Sequence, residues 1–135
     1  MADVSDKEMK TLLRAQQGEL DAVLMYNALA QKAKNPRDRD TFRQLAAEEG
    51  HHAAVFHALT GETLQPKKTK AILLPVLYTC LGRKLLYPQI AKREYAAFDT
   101  YAPVAARFPA VESVKHDEKR HGDMLMNLLK PEQFR

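Results

Sequence analysis

A pattern of glutamate, tyrosine and histidine occurs twice in this chain, and it limits the folds that the chain can adopt. Both copies read Glu-x6-Tyr followed by acid-Glu-x-x-His. The first copy consists of Glu19, Tyr26, Glu48, Glu49 and His52, and the second of Glu94, Tyr101, Asp117, Glu118 and His121. A four-helix bundle binds two iron or manganese ions with one Glu from each of two helices and a Glu-x-x-His from each of the other two. The repeat therefore predicts such a bundle around a dinuclear metal site.

Length and charge predict one domain over residues 1–135 and disfavour a nucleic-acid partner. A chain of 135 residues with 45% hydrophobic content can form one compact core but not two. Its 21 basic and 17 acidic side chains are dispersed along the sequence, so the net charge of +4 describes a mixed surface. No nucleic-acid partner is expected.

The cysteine content and the apolar segments predict a cytoplasmic protein without a transmembrane span. Cys80 is the single cysteine, which excludes an internal disulfide and a multi-cysteine metal site. The polar first ten residues lack the apolar core of a secretory signal. The longest uncharged apolar stretch, from Ala71 to Gly82, is 12 residues long, whereas a membrane span needs roughly 20.

Capping residues and apolar periodicity predict the first two long helices. Ser5 and Glu8 form a capping-box pattern, and the periodicity that follows continues to about Lys34. Asn35 and Pro36 then predict the start of a second helix, which ends at Thr60-Gly61. The short turn between these helices predicts that they are antiparallel.

A longer connection and a second helical pair complete the predicted fold. Residues 61–83 form a crossover with a short apolar helix at about Ile72 to Leu81. A third long helix begins at Lys84 or Pro88 and ends near Tyr101; a turn spans Pro103 to Pro109, and a fourth helix continues to Leu129. Two hairpins joined by one crossover give an all-α, ferritin-like four-helix bundle, although periodicity alone equally allows an ordinary bundle.

The positions of the glutamates distinguish these alternatives. Residues three, four and seven positions away from each motif glutamate are largely apolar, so each carboxylate is expected to point inward. The four glutamates also lie at matching distances from their turns, at about 1.5 Å of rise per residue. We therefore expect all four at one level of the bundle: Glu19, Glu49, Glu94 and Glu118.

Electrostatics gives this arrangement a metal-binding interpretation. Four carboxylates in an apolar core would repel one another and destabilise the fold without cations. Two divalent ions neutralise four carboxylates, and two neutral imidazoles complete the ligand set. An oxygen-rich set without thiolate favours iron or manganese over structural zinc. The predicted metal ligands are Glu19, Glu49, His52, Glu94, Glu118 and His121.

These segments resemble the di-iron domain of the rubrerythrins, within the ferritin-like superfamily, over nearly the whole chain. The matching stretches are 17–26, 47–52 and 117–121, with Glu94 as the ligand on the third long helix. The resemblance implies a dinuclear iron protein that reacts Fe(II) with peroxide or dioxygen. It also implies that Glu49 and Glu118 bridge the metals, that Glu19 and Glu94 are terminal ligands, and that each histidine binds one metal.

The chain departs from that family pattern in two respects. Rubrerythrins usually carry an additional domain in which four cysteines hold one iron, and this chain has one cysteine, so we expect an external electron donor protein. The family also typically has a further glutamate one turn after its third-helix ligand. That position is Ala97 here, which leaves the peroxidase activity of this chain open.

Several neighbouring residues allow two interpretations. Glu48 and Asp117 either accept the second ring N–H of the histidine four residues later on the same helix or lie at a solvated helix edge. Tyr26 and Tyr101 either hydrogen-bond ligand carboxylates and protect the oxidised site or serve as core aromatics. A register that uses Glu48 and His51 in place of Glu49 and His52 is less consistent with the apolar stripe. The remaining candidates are expected to be surface or packing groups: His57, His116 and Cys80.

Other functions fit parts of the same pattern. A hydroxylase resembling the demethoxyubiquinone hydroxylases shares the acid-Glu-x-x-His pairs, and the apolar crossover, flanked by lysines and arginines, would then contact a membrane surface. A non-catalytic iron storage or delivery protein is a further alternative. The crossover carries more apolar surface than one small bundle covers, so we expect a homodimer, in which helix exchange between subunits is an open alternative.

Overall fold

The computed structural model describes residues 3–131. Five helices occur in this range: α1 (Asp6–Lys32), α2 (Pro36–Thr60), α3 (Thr69–Leu81), α4 (Arg83–Arg107) and α5 (Val111–Asn127). Helices α1 and α2 form one hairpin, α4 and α5 form a second, and α3 lies in the crossover between them. No strand is present between residues 3 and 131. The prediction of an all-α, ferritin-like bundle of two hairpins is confirmed.

The caps of the first hairpin agree with the sequence. The hydroxyl of Ser5 accepts from the backbone N–H of Glu8, whose carboxylate in turn accepts from the N–H of Ser5. Asn35 caps α2 through the N–H of Asp38, and Gly61 ends α2 with φ of 70°. That left-handed conformation strains any residue with a Cβ, so glycine is favoured there.

The turn between α4 and α5 was predicted to begin at Pro103, and this prediction was wrong. Helix α4 continues through Pro103 to Arg107. A proline inside a helix leaves the carbonyl four residues earlier without its N–H partner. Here that carbonyl belongs to the exposed Asp99, so water can hydrate it. The following residues Val104 and Ala105 are buried, and their burial favours continuing the helix. Pro88 is tolerated for the same reason, because the carbonyl four residues before it belongs to the exposed Lys84. Helix α4 begins at Arg83 and continues through Pro88.

Two apolar clusters enclose a polar layer. One cluster joins α1, α2 and α4 around Tyr26, Phe42 and Tyr87, and the other lies around Leu12, Phe56 and Tyr101. On each long helix, the motif glutamate lies between residues of the two clusters. Helix α2 contacts α5, whereas no Cα of α1 lies within 8 Å of a Cα of α4 in residues 3–131. The polar layer is therefore enclosed where α2 and α5 are in contact and is more open between α1 and α4.

A buried acid that the sequence analysis did not single out ties the two hairpins together. Asp38 is 0% exposed. Its carboxylate accepts from Arg83 at 2.6 and 3.0 Å and from the hydroxyl of Tyr87 at 2.6 Å. Arg83 also donates to the carbonyl of Leu128 at the end of α5. These contacts join the start of α2 to the start of α4 and the end of α5.

The crossover helix α3 and the first turn of α4 leave an apolar stripe at the surface. Ile72, Val76 and Leu85 are 68%, 54% and 61% exposed, whereas Leu74 and Tyr78 pack into the core. Cys80 is exposed, so its predicted packing role was wrong: it lies on the outer side of α3, two residues beyond the buried Tyr78. No helix within residues 3–131 is long and apolar enough to cross a membrane.

Candidate metal centre

The structure brings the six predicted ligand side chains together in the polar layer. Glu19 and Glu94 come from α1 and α4, and each of α2 and α5 contributes one Glu-x-x-His. All six side chains are buried, and their residues are at most 6% exposed: Glu19, Glu49, His52, Glu94, Glu118 and His121. Helical spacing explains the arrangement, because residues three apart on one helix project from the same face.

Ligand atoms of the two Glu-x-x-His pairs all lie within 4.8 Å of one another. The Nδ1 atom of His52 is 2.8 Å from Glu118 and 3.0 Å from Glu49. The Nδ1 atom of His121 is 3.1 Å from Glu49 and 3.6 Å from Glu118. Both histidines therefore face the same two carboxylates. Glu19 and Glu94 approach from the other side, at 3.4 Å from His52 and 3.7 Å from His121 respectively.

Each of these six residues has one buried polar atom without a hydrogen-bond partner in residues 3–131. These atoms are Oε2 of Glu19 and Glu94, Oε1 of Glu49 and Glu118, and Nδ1 of His52 and His121. Although the nitrogen–oxygen distances are short, none of these pairs has hydrogen-bond geometry. Buried polar groups normally have partners, so six convergent orphans form a set of donor atoms suited to cations. Four carboxylates and two imidazoles fit a pair of divalent ions of the iron or manganese type.

Each motif tyrosine donates a hydrogen bond to the lone glutamate of the other half of the chain. The Tyr26 hydroxyl donates to Glu94, and the Tyr101 hydroxyl donates to Glu19 at 2.9 Å. In each case the bonded carboxylate oxygen is Oε1, which leaves Oε2 directed at the centre. Burial and nearby glutamates raise the pKa of both tyrosines well above 10, so both hydroxyls remain protonated donors at neutral pH.

The carboxylates next to the histidines also act across the helix pair. Of the two interpretations of Glu48 and Asp117, the structure supports contact with an imidazole Nε2, although the histidine is the one on the neighbouring helix and not the one on their own helix. Asp117 lies 2.8 Å from Nε2 of His52, and Glu48 lies 3.0 Å from Nε2 of His121. Because α2 and α5 are in contact, each carboxylate reaches the neighbouring helix. A histidine that binds metal through Nδ1 carries its proton on Nε2, and these carboxylates accept it.

Burial and the close approach of these ionisable groups shift their pKa values in opposite directions. Burial and repulsion from Glu49 raise the pKa of Glu19 to about 8, and burial raises that of Glu118 to about 12. Burial alone would lower the pKa of His121, but the adjacent Glu49 and Glu94 raise it to about 10. Burial opposes ionisation of Glu49, yet the two histidines lower its pKa to about 2. The centre therefore contains bound protons at neutral pH, which divalent ions would displace.

A cavity of about 160 Å³ opens onto the centre between α1 and α4. The four motif glutamates and both tyrosines contribute to its wall, together with Ala97, Lys70 and Arg93. Burial and the neighbouring charge of Arg93 lower the pKa of Lys70. At roughly 30 Å³ per water molecule, the cavity has room for a few small molecules. The cavity therefore provides space for a small molecule beside the centre.

The other histidines lie outside the centre. His51 is exposed, so the alternative register that uses Glu48 and His51 does not place an imidazole in the core. His57 contacts the carbonyl of Glu62, and His116 contacts Glu112 at the surface. Arg120, which the sequence analysis did not single out, contacts both Glu48 and Asp117. Arg120 lies three residues after Asp117, a spacing that favours an ion pair on one helix, so the sequence could have predicted the contact with Asp117.

Comparison with known proteins agrees with this site. A family model described as Rubrerythrin matches residues 10–129. The chain is 32% identical over 132 residues to reverse rubrerythrin-1 of Clostridium acetobutylicum, with 92% of this chain and 67% of that protein covered. No solved structure gave a significant match. The family match includes both hairpins and every residue of the buried glutamate and histidine cluster, and the chain belongs to the rubrerythrin family.

Proposed function

We propose that this chain binds two iron ions in the buried cluster and reacts Fe(II) with peroxide or dioxygen. The observation that carries the proposal is the set of six orphaned atoms, one on each predicted ligand, converging in the polar layer. Family membership supports iron as the metal, with manganese as the alternative. When bound, the two irons would supply the electrons that reduce the oxidant.

The protein side chains would perform separate tasks around these metals. Glu49 and Glu118, which both histidines face, suit bridging positions. Glu19 and Glu94 suit terminal positions, and the tyrosine hydroxyls orient them by binding their second oxygens. The apolar clusters on either side lower the local dielectric around the layer, which strengthens the electrostatic interactions inside it. The cavity between α1 and α4 would admit a small oxidant.

We propose that electrons for reduction of the oxidised centre come from a separate donor protein. We propose that the chain works in the cytoplasm with such a donor. The exposed stripe around Ile72, Val76 and Leu85 is proposed to contact a second copy of the chain in a homodimer. A two-fold symmetric dimer brings the same patch of both subunits together, so an apolar stripe can cover itself.

Stopped-flow mixing tests the proposed reaction. The protein is loaded with Fe(II) without oxygen and mixed with peroxide or with air-saturated buffer, while absorption from ferric iron is followed. Ala97 lines the cavity, so Ala97→Phe should slow the oxidation at least about tenfold by blocking access while leaving the iron content unchanged. Ala102→Phe, an exposed position on the same helix, is the control. Equal rates in both variants would show that the oxidant uses another route.

A further inference from the structure

Arg120 contacts both carboxylates that lie behind the two histidines. Its Nη2 atom donates to Asp117 at 3.0 Å, and its Nη1 atom donates to Glu48 at 3.4 Å. Nη2 also contacts a Glu48 oxygen directly. The Arg120 side chain is 46% exposed, so it lies at the surface where α2 and α5 meet. A planar guanidinium can fix the orientation of two carboxylates at once.

A continuous series of contacts consequently joins one histidine to the other. His52 contacts Asp117, Asp117 contacts Arg120, Arg120 contacts Glu48, and Glu48 contacts His121. Each carboxylate accepts from the guanidinium and from one imidazole. Because a carboxylate that accepts from the imidazole alone retains rotational freedom, the guanidinium restricts the orientation of both carboxylates and thereby of both rings.

This arrangement is not symmetric between the two halves of the chain. The position in the first half that matches Arg120 is His51, the residue directly before His52. His51 is exposed, so the one guanidinium serves both histidines. We propose that Arg120 is a positioning residue for both imidazoles, holding Nδ1 of His52 and of His121 toward the metals through Asp117 and Glu48. The inference rests on the proposed role of these histidines as metal ligands.

The two histidines do not depend equally on Arg120. Glu48 also accepts from the side-chain amide of Gln44 at 2.9 Å. Within residues 3–131, Asp117 accepts from no side chain other than Arg120 and His52. Loss of the guanidinium should therefore increase the rotational freedom of both rings, and the increase should be larger for His52 than for His121.

Nuclear magnetic resonance of the Zn(II)-loaded protein tests this inference, because zinc is a diamagnetic substitute for iron. The measured quantities are the water-exchange rates of the two ring Nε2–H protons and the zinc dissociation constants from chelator competition. Glu48→Ala should affect the His121 ring, Asp117→Ala should affect the His52 ring, and Arg120→Leu should affect both. Arg120→Lys keeps the charge but lacks the planar fork of the guanidinium. It should therefore give exchange rates and a zinc affinity between those of the parent and those of Arg120→Leu. Arg43→Leu, at an exposed position on α2, is the matched control.

We expect Arg120→Leu to accelerate exchange of both ring protons and to weaken zinc binding about threefold to tenfold, less than the roughly 10–100-fold typical of a direct partner of a ligand. If either ring proton exchanges at the rate found in Arg43→Leu, the inference is overturned. If the unchanged protein binds neither iron nor zinc, both the inference and the proposed function fail. If it binds metal and Arg120→Leu behaves like the control, the inference alone fails.

Discussion

Gly122 lies beside the proposed ligand His121, where α5 passes close to the ring of Tyr95. A Cβ at this position would lie 2.6 Å from Cζ and 2.8 Å from Cδ1 of that ring. The hydroxyl of Tyr95 donates to Asp123 at 2.6 Å, which holds the ring in place. The absence of a side chain at Gly122 therefore permits the close approach of α4 and α5.

Gly122→Ala should accordingly lower the free energy of unfolding by about 1–3 kcal/mol through overpacking. Urea unfolding of the metal-free protein measures the change. The control is Gly18→Ala on α1, where an added Cβ meets no heavy atom within 4 Å; it should stabilise the helix by about 0.5–1 kcal/mol. Equal or greater stability of Gly122→Ala than of the parent would contradict the packing account.

The crossed tyrosines give a second prediction for single residues. Tyr101→Phe would leave Oε1 of the buried Glu19 without its donor, and Tyr26→Phe would do the same for Glu94. Both changes should weaken iron binding by about 10–100-fold, since each removes the group that orients a ligand. Chelator competition under anaerobic conditions measures the affinity.

Tyr95→Phe is the control for these variants, because its hydroxyl binds Asp123 at the surface. It should leave iron affinity unchanged. If Tyr26→Phe and Tyr101→Phe also bind iron as tightly as the parent, the tyrosines are core aromatics without an effect on the ligands.

Sequence spacing predicted which side chains point inward but not which neighbours they meet. The depth of Glu19 and of Tyr26 follows from the rise of a single helix. The partner of Tyr26 is Glu94 on α4, and the partner of Glu48 is His121 on α5. Such pairings depend on how the two hairpins dock, and a periodicity that describes one helix at a time contains no information about docking.

Among the helices, the junction of α2, α4 and α5 depends on the buried Asp38. Arg83→Met would remove the guanidinium and leave the carboxylate with the Tyr87 hydroxyl alone. An uncompensated buried charge is costly, so we expect a loss of about 3 kcal/mol in the free energy of unfolding. Lys84→Met changes the exposed neighbouring residue and should be nearly neutral. Urea unfolding that gives the same stability for both variants would contradict the role of Asp38.

Helix boundaries were predictable where a cap marks them. Ser5, Asn35 and Gly61 each adopt the capping geometry that their residue type favours. Pro103 was misleading, because it usually marks a helix boundary but lies on the exposed side of α4 with buried residues directly after it. Burial against other helices, which no local pattern reports, determined where that helix ends.

For the whole molecule, the protons held by the buried groups predict that the stability of the metal-free protein depends on pH. Glu118 and Glu19 have folded-state pKa values of about 12 and about 8, above their ordinary 4.5. The folded state therefore retains protons that the unfolded chain releases, and rising pH favours unfolding. His121 contributes stability below pH 6.5 and loses it as the pH rises through about 10. The ionised Glu49 also stabilises the folded state, and this stabilisation is lost only as the pH falls from 4.5 toward 2.

We therefore expect the metal-free protein to become less stable between about pH 6.5 and 10, and the stabilisation by added metal to grow over the same interval. Thermal unfolding with and without Mn(II) across this range measures both trends. A metal-free protein whose stability rises between pH 7 and 9 would contradict the assignment of protons to these groups.

The apolar stripe on α3 and the first turn of α4 predicts the oligomeric state of the molecule in solution. Light scattering should give twice the chain mass of 15.3 kDa for the parent. Val76→Glu, which places a charge within the stripe, should shift the protein toward monomer. Ala102→Glu on the exposed side of α4 should remain dimeric. A monomeric parent that floats with liposomes at low salt would instead favour a membrane-surface role for the stripe.

The central claim is that six buried side chains hold two iron ions. Anaerobic Fe(II) titration of the metal-free protein tests it most directly, with Glu49→Ala and Glu118→Ala, each removing one carboxylate of the cluster, measured beside the parent. We predict saturation at two irons per chain for the parent and loss of at least one tightly bound iron in each variant. No saturable binding of iron or manganese, or two irons bound as tightly by both variants as by the parent, would contradict the account.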